Sequence, residues 1–175
     1  ILYDVKCSMG VEEAIALSGG IGRMVRTGHS FMKRELAACP DIKFAGEMSG
    51  HLFFNDRWNG FDCSLYNSAR LIELVARSSD PNNDGIGFSD LLVSIPDYPS
   101  TGESKIIFEG ERDDIMKSVR SSFSDLQFSE VDGVRVAYPD GWFLCRPSNT
   151  EPILIMRAEG RTAAALESIL SDVHA

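Results

Sequence analysis

Two short apolar runs flank the stretch Arg146-Pro147-Ser148-Asn149-Thr150-Glu151-Pro152, one at residues 142–145 and the other at residues 153–156. Apolar runs of this length, bounded by turn residues, are typical of β-strands. The stretch between them is rich in the residue types that form tight connections, and its prolines stiffen the backbone. The pattern therefore predicts a hairpin of two antiparallel strands with a polar loop at its tip.

The side chains of this loop suit a phosphate group. The planar guanidinium of Arg146 can bind two phosphate oxygens, and Ser148, Asn149 and Thr150 can each donate a hydrogen bond to another oxygen. Charge-assisted bonds of this kind contribute about 1.5–3 kcal/mol each. An ordinary hairpin turn uses the same residue types. From the loop alone, both interpretations stay open.

Length and composition predict a folded protein with one large or two small domains. The chain has 175 residues, of which 43% are hydrophobic and 25% are charged. Its formal net charge is -9. Nucleic acids and anionic membranes would be repelled at long range, so neither is expected as a partner. Any anion site must be local.

The cysteine and histidine pattern predicts neither a metal site nor disulfides. Four scattered cysteines form no C-x-x-C pair, and the chain contains three histidines, so no zinc site is expected. Free thiols predict a reducing, cytoplasmic location. No signal peptide or membrane-spanning apolar run occurs. The sequence opens on a strand-like run, residues 1–5, without methionine, and we expect it to be a piece of a longer protein.

Residues 1–96 alternate between strand and helix patterns, which predicts an α/β domain with a parallel sheet between helical layers. Strands are predicted at residues 1–5, 24–26 and 43–45, and helices at residues 11–18, 31–38 (with Ser30 as the N-cap) and 65–77. The loops at the carboxyl ends of parallel strands lie at one edge of the sheet. Lys6, His29 and Glu47 follow the three predicted strands, so we expect them to converge.

Residues 97–102 contain proline, glycine and small polar residues and are predicted to form a linker. Beyond the linker, residues 103–175 show the patterns of a strand, a helix, two or three strands and a helix. This order predicts a small α+β domain with an antiparallel sheet and helices on one face.

A second polar stretch, Gly46-Glu47-Met48-Ser49-Gly50-His51, suits a sugar ring. Glu47 can accept hydrogen bonds from two neighbouring hydroxyls, Ser49 can donate or accept beside it, and the glycines permit close approach of the backbone. A purely structural turn would contain the same residues. Lys6 could supply a positive charge and His29 a proton carrier, or both could be ordinary surface residues.

Four motifs, in order and at matching separations, resemble the phosphomannomutase/phosphoglucomutase branch of the α-D-phosphohexomutases. They are Asp4-Val5-Lys6-Cys7-Ser8, Thr27-Gly28-His29-Ser30, the stretch at residues 46–51 and the stretch at residues 146–152. Two departures are Met9, where a basic residue is expected, and Cys63, where a second acid is expected after Asp62. Neither position lies in a motif that binds substrate.

The resemblance implies a four-domain isomerase that interconverts hexose 1-phosphates and 6-phosphates through a bisphosphorylated sugar. This chain would be a C-terminal fragment comprising domain 3, whose first helix would precede residue 1, and a TBP-like domain 4. The catalytic phosphoserine would lie in domain 1 and Mg²⁺ in an Asp-rich loop of domain 2. The fragment alone is expected to be inactive and to contain no metal ligands.

The resemblance also implies roles for individual residues. Glu47 and Ser49 would hold the sugar hydroxyls O3 and O4, with His51 beside them, and Lys6 and His29 would lie near the reacting end. The clamp on the phosphate that is not transferred would consist of Arg146, Ser148, Asn149 and Thr150. Expected partners are glucose and mannose 1- and 6-phosphates, their bisphosphates, and domains 1 and 2. A stand-alone phosphosugar-binding module and a phosphoglucosamine mutase fragment are the alternatives.

Overall fold

The computed structural model describes residues 1–78, 87–93, 95–148 and 151–174. The chain divides into two compact units, Ile1–Asp97 and Tyr98–Ala175. Within the described ranges, no helix combines the length and the apolar character that crossing a lipid bilayer requires.

The first unit contains a four-stranded sheet in which β1 is central. Its strands, in spatial order, are β2 (Arg23–Val25), β1 (Leu2–Asp4), β3 (Phe44–Gly46) and β4 (Leu52–Phe54). Strand β1 runs parallel to β2 and β3, which confirms the predicted parallel arrangement. Strand β4 instead pairs antiparallel with β3. The five residues that join these two strands are too few for the crossover that a parallel pair requires.

Helices cover both faces of this sheet and produce the predicted three layers. The unit contains α1 (Met9–Leu17), α2 (His29–Ala38), α3 (Ser64–Ser78) and α4 (Phe88–Val93). Neighbouring residues of a strand point to opposite faces. Accordingly, Leu2 packs with Met32 and Leu36 of α2, whereas Tyr3 packs with Ile15 of α1.

The start of α2 differs from its prediction. Ser30 was expected to cap a helix beginning at residue 31, but the N-cap is Gly28 and the helix begins at His29. Gly28 has a φ of 131°, which side chains disfavour, and its carbonyl accepts hydrogen bonds from the N–H groups of Phe31 and Met32 at 3.0 and 3.1 Å. His29 therefore lies in the first helical turn.

The second unit is an antiparallel sheet with two helices on one face, as predicted, but it contains five strands where the sequence pattern indicated three or four. Its strands are β5 (Ser104–Ile107), β9 (Ile153–Gly160), β8 (Gly141–Pro147), β7 (Val134–Tyr138) and β6 (Phe128–Ser129), in that spatial order. Met116 of α5 (Arg112–Ser122) and Ile169 of α6 (Ala163–Val173) share one buried cluster with Val134, Val136 and Phe143.

The hairpin of β8 and β9 extends further than predicted. Arg146 pairs with Ile155 and Pro147 with Leu154, so Arg146 lies within a strand and not in the loop. The segment predicted as a linker also bonds to β9: the Thr101 N–H donates to the Ala158 carbonyl at 3.0 Å.

Cysteine reactivity should follow burial. Burial raises the pKa of Cys145 to about 11, so at pH 8 only about one such thiol in a thousand would be the reactive thiolate. Cys7 is also buried, whereas Cys39 and Cys63 are half-buried. We expect iodoacetamide at pH 8 to label Cys39 and Cys63 in the folded protein and all four thiols in urea, as mass spectrometry can show. Equal labelling rates at Cys145 and Cys39 in the folded protein would contradict this expectation.

Candidate functional site

A single buried carboxylate ties together the loops that follow β1, β2 and β3. Asp4, the last residue of β1, is fully buried. Its Oδ1 accepts hydrogen bonds from the N–H groups of Lys6 at 3.2 Å and Met48 at 3.4 Å, and from the Cys7 thiol at 3.1 Å. Its Oδ2 accepts from the Thr27 hydroxyl at 3.2 Å. The loops at the carboxyl edge of the sheet are therefore held together by one side chain, Asp4.

Glu47 follows β3 and presents one carboxylate oxygen to two imidazoles. Its side chain is 2% exposed. Oε1 accepts a hydrogen bond of 2.6 Å from the Gly28 N–H, which fixes the carboxylate. Oε2 lies 3.7 Å from His29 Nε2 and 3.7 Å from His51 Nδ1.

Ser49 joins the same cluster through His51. The Ser49 Oγ and His51 Nδ1 atoms are 2.8 Å apart. The rings of His29 and His51 meet edge to face with centroids 4.2 Å apart, and the ring of Phe53 supports His29 at 5.4 Å. The two imidazoles are 45% and 42% exposed. The structure thus brings His29, Glu47, Ser49 and His51 into one solvent-accessible group that can accept and donate hydrogen bonds.

Lys6 lies at the same edge of the sheet, two residues after β1. It is buried, with 8% of its surface exposed. Its backbone N–H belongs to the set held by Asp4. Lys6, His29 and Glu47 therefore follow three parallel strands at one edge of the sheet, while their roles in binding and catalysis stay predictions.

The predicted phosphate loop lies in the second unit, and its arginine is partly committed to another residue. Arg146 is 4% exposed, and its Nε donates to Asp132 Oδ2 at 2.9 Å in a buried ion pair. Its Nη2 is also buried and has no hydrogen-bond partner among the described residues. That nitrogen can donate to an added oxyanion.

Ser148 begins the loop and is held by three hydrogen bonds. Its N–H donates to the Ile153 carbonyl at 2.8 Å and closes the hairpin. Its hydroxyl oxygen accepts from the Glu151 N–H at 3.3 Å, and its carbonyl accepts from Arg112 Nη2 at 3.1 Å. Asn149 and Thr150, also predicted to bind phosphate, lie outside the described residues.

Sequence reasoning missed Asp132 and Arg112 and gave Asp4 no role of its own. The pair Asp132-Gly133 was recognised only as a turn. Gly133 has a φ of 83°, and an added Cβ there would lie 2.5 Å from Arg146 Cβ. The turn can therefore approach β8 closely, which places Asp132 beside the guanidinium. The pairing of Asp132 with Arg146 depends on this contact between a turn and a strand, and the sequence contains no local signal for it.

Two family descriptions match the chain. Residues 1–88 match "Phosphoglucomutase/phosphomannomutase, alpha/beta/alpha domain III", and residues 109–175 match "Phosphoglucomutase/phosphomannomutase, C-terminal domain".

The chain is also similar to individual proteins with these names. A phosphomannomutase/phosphoglucomutase of Pseudomonas syringae pv. tomato is 40% identical over 178 residues, which cover 100% of this chain and 37% of that protein. A phosphoglucomutase of Neisseria meningitidis serogroup A is 38% identical with the same coverage of both chains. A crystal structure of a phosphoglucomutase/phosphomannomutase family protein from Burkholderia thailandensis has 39% identity and a TM-score of 0.84, covering 99% of this chain and 36% of that one. The chain thus spans 37% of the length of the Pseudomonas syringae and Neisseria meningitidis proteins.

Proposed function

Because the chain belongs to the phosphoglucomutase/phosphomannomutase family, we propose that it supplies the sugar-binding and phosphate-binding parts of an enzyme that interconverts hexose 1-phosphates and 6-phosphates. The observation that carries this proposal is the group formed by His29, Glu47, Ser49 and His51, called the Glu47 cluster below. Its buried carboxylate has one oxygen fixed by Gly28, while the other faces two imidazoles, and one of these imidazoles lies 2.8 Å from the Ser49 hydroxyl.

The cluster is suited to the hydroxyls of a hexose. Glu47 Oε2 can accept from two neighbouring hydroxyls, O3 and O4, and Ser49 can donate to or accept from one of them. Glucose and mannose share these hydroxyls, and both orientations of the sugar present them. A site that contacts only O3 and O4 can therefore bind the bisphosphorylated intermediate in both orientations, so the sugar can turn end over end between the two phosphoryl transfers.

The second unit would hold the phosphate that is not being transferred. Arg146 Nη2 is buried without a partner among the described residues, and Ser148 follows two residues later, at the start of the loop. Asn149 and Thr150 are proposed to complete this clamp. A guanidinium already oriented by Asp132 loses little freedom when it binds an oxyanion.

The transfer itself would involve a phosphoserine outside this chain. A sugar hydroxyl oxygen attacks its phosphorus, the bond from phosphorus to the serine oxygen breaks, and the serine oxygen is left for the reverse step with the other phosphate. The sugar hydroxyl gives up its proton, which His29 would carry, while Lys6 would stabilise the anionic charge. The four free thiols support placing the enzyme in the reducing cytoplasm.

Magnesium, the metal proposed for the complete enzyme, would neutralise charge on the transferred phosphoryl group. It prefers an octahedral set of oxygen ligands. Among the described residues, the group of three metal-ligating side chains is His29, Glu47 and His51, which contains two nitrogens. These residues do not fit Mg²⁺, and we place its ligands outside this chain.

Glu47→Gln should lower kcat/KM for glucose 1-phosphate by about 10- to 100-fold, because it removes a charged acceptor worth about 1.5–3 kcal/mol. The amide oxygen can still accept from the Gly28 N–H, so the fold should be kept. The measurement is steady-state kinetics of the enzyme that contains this chain. Glu12→Gln, at an exposed position on α1, is the matched control and should have no effect.

Deoxy substrates make this test specific. Glucose 1-phosphate that lacks O3 or O4 should be a poor substrate for the wild type, but Glu47→Gln should weaken it little further, since the two changes remove the same contact. Fully additive effects would mean that Glu47 does not read these hydroxyls.

A further inference from the structure

We propose that His29, Glu47 and His51 form a binding site for a divalent transition-metal ion of the Zn²⁺ class. One ligand atom from each residue lies within 4.8 Å of the other two. Glu47 Oε2 is 3.7 Å from a nitrogen of each imidazole. Two ligands bound to a tetrahedral zinc at about 2.1 Å lie about 3.4 Å apart. Small side-chain rotations therefore complete the site, and this geometry is independent of the function proposed above.

The three ligands are oriented by their surroundings. The Gly28 N–H holds Glu47 Oε1 at 2.6 Å and leaves Oε2 facing the imidazoles. The Glu47 N–H donates to the His51 carbonyl at 2.9 Å, which fixes the turn between these two ligands, and Phe53 packs against the His29 ring. Second partners of this kind raise metal affinity because the ligands need not be ordered on binding.

The ligand set selects the class of ion. Two imidazoles and one carboxylate suit Zn²⁺, Co²⁺, Ni²⁺ and Fe²⁺, whereas Mg²⁺ and Ca²⁺ prefer oxygen ligands. Both imidazoles are partly exposed, at 45% and 42%, so an ion can enter and water can fill its remaining position. This proposal departs from the expectation, drawn from the cysteine and histidine pattern, that no zinc site is present.

Ser49 distinguishes a metal site from a sugar site. Its hydroxyl oxygen lies 2.8 Å from His51 Nδ1, the nitrogen nearest to Glu47. Hydroxyl and ion therefore compete for the same nitrogen. Ser49→Ala should tighten metal binding, although the same change would remove a contact to a sugar.

Titration calorimetry with Zn²⁺, and visible absorption with Co²⁺, test the proposal on the whole chain. A Cys39→Ser, Cys63→Ser background removes the two half-buried thiols that could bind zinc. One ion per chain is expected. Separate changes to glutamine at His29, Glu47 and His51 should each weaken binding at least about 10-fold, as loss of even a supporting group does. His174→Gln, at the C-cap of α6, is the matched control and should bind as before.

Circular dichroism would show whether each variant is folded. Wild-type stoichiometry and affinity in all three glutamine variants would overturn the proposal, and so would zinc binding that is lost only with His174. Weaker binding in Ser49→Ala would contradict the competition between its hydroxyl and the ion, but not the site itself.

Discussion

Arg146→Ala is expected to lower kcat/KM for hexose phosphates by about 10²- to 10³-fold, chiefly by raising KM, because two charge-assisted hydrogen bonds to the phosphate would be lost. The buried Nη2 has no partner among the described residues, and Asp132 fixes the orientation of the guanidinium through Nε at 2.9 Å. Steady-state kinetics of the enzyme that contains this chain, with hexose 1-phosphate varied, is the measurement. Arg146→Lys keeps the charge but loses the planar fork, and it should give an intermediate KM.

The same substitution should destabilise the second unit by about 3–5 kcal/mol, because the Asp132 carboxylate, 5% exposed, would lose its buried counter-charge. Each unit contains one tryptophan, Trp58 in the first and Trp142 in the second. In a Trp58→Phe background, the fluorescence of Trp142 reports urea unfolding of the second unit.

Asp132→Ala combined with Arg146→Ala separates binding from stability. Removing both charges should restore part of the lost stability, because no uncompensated charge stays buried, but KM should stay high. If the double variant also regained the wild-type KM, the guanidinium would be a structural group and the phosphate clamp would lie elsewhere.

The alternation of strand and helix patterns was enough to predict both units of the fold, but not their local boundaries. The start of α2 is decided by Gly28, whose backbone bonds to Glu47 from another loop and not to a nearby side chain. Strand β8 extends through Arg146 and Pro147 because these two residues pair with Ile155 and Leu154 of β9, a contact across the hairpin that the polar character of Arg146 does not indicate. The helix predicted at residues 65–77 is present as α3, but its leucines are half exposed, with Leu71 at 51% and Leu74 at 47%. The spacing of apolar residues predicts a helix, but it does not show whether another element packs against that helix.

The candidate site was predictable where the chemistry is carried by local motifs. The Glu47 stretch places Ser49 and His51 near the carboxylate within one short turn, so its composition was sufficient. Asp4 and Asp132 act through contacts across the fold, and no local pattern distinguishes such buried aspartates from ordinary turn residues. Their importance follows from burial, which sequence alone does not give.

The two candidate sites share one feature: one part of a charged group is fixed by a hydrogen bond to the protein and another part is not. Glu47 gives Oε1 to the Gly28 N–H and keeps Oε2, while Arg146 gives Nε to Asp132 and keeps Nη2. A group held on one side loses less conformational entropy when a ligand binds on the other. The fixing partners should therefore affect binding even though they do not touch the ligand.

Asp4→Ala is expected to destabilise the first unit by about 3–5 kcal/mol, because several buried donors would lose their shared charged acceptor at once. The carboxylate is fully buried and accepts hydrogen bonds from the loops after three different strands, at Lys6, Thr27 and Met48. In a Trp142→Phe background, Trp58 fluorescence reports urea unfolding of this unit. The midpoint should fall strongly, while the midpoint reported by Trp142 in the Trp58→Phe background should not change.

Asp41→Ala is the matched control, since Asp41 is exposed and its loss should change stability by less than about 0.5 kcal/mol. Asp4→Asn keeps one acceptor oxygen but turns an amide donor toward other donors, so it should lie between the control and alanine. An Asp4→Ala protein as stable as the Asp41→Ala protein would contradict the role of Asp4 as the anchor of these loops. A loss of stability confined to the first unit would instead show that the edge of the sheet carrying Glu47 and His29 depends on this one carboxylate.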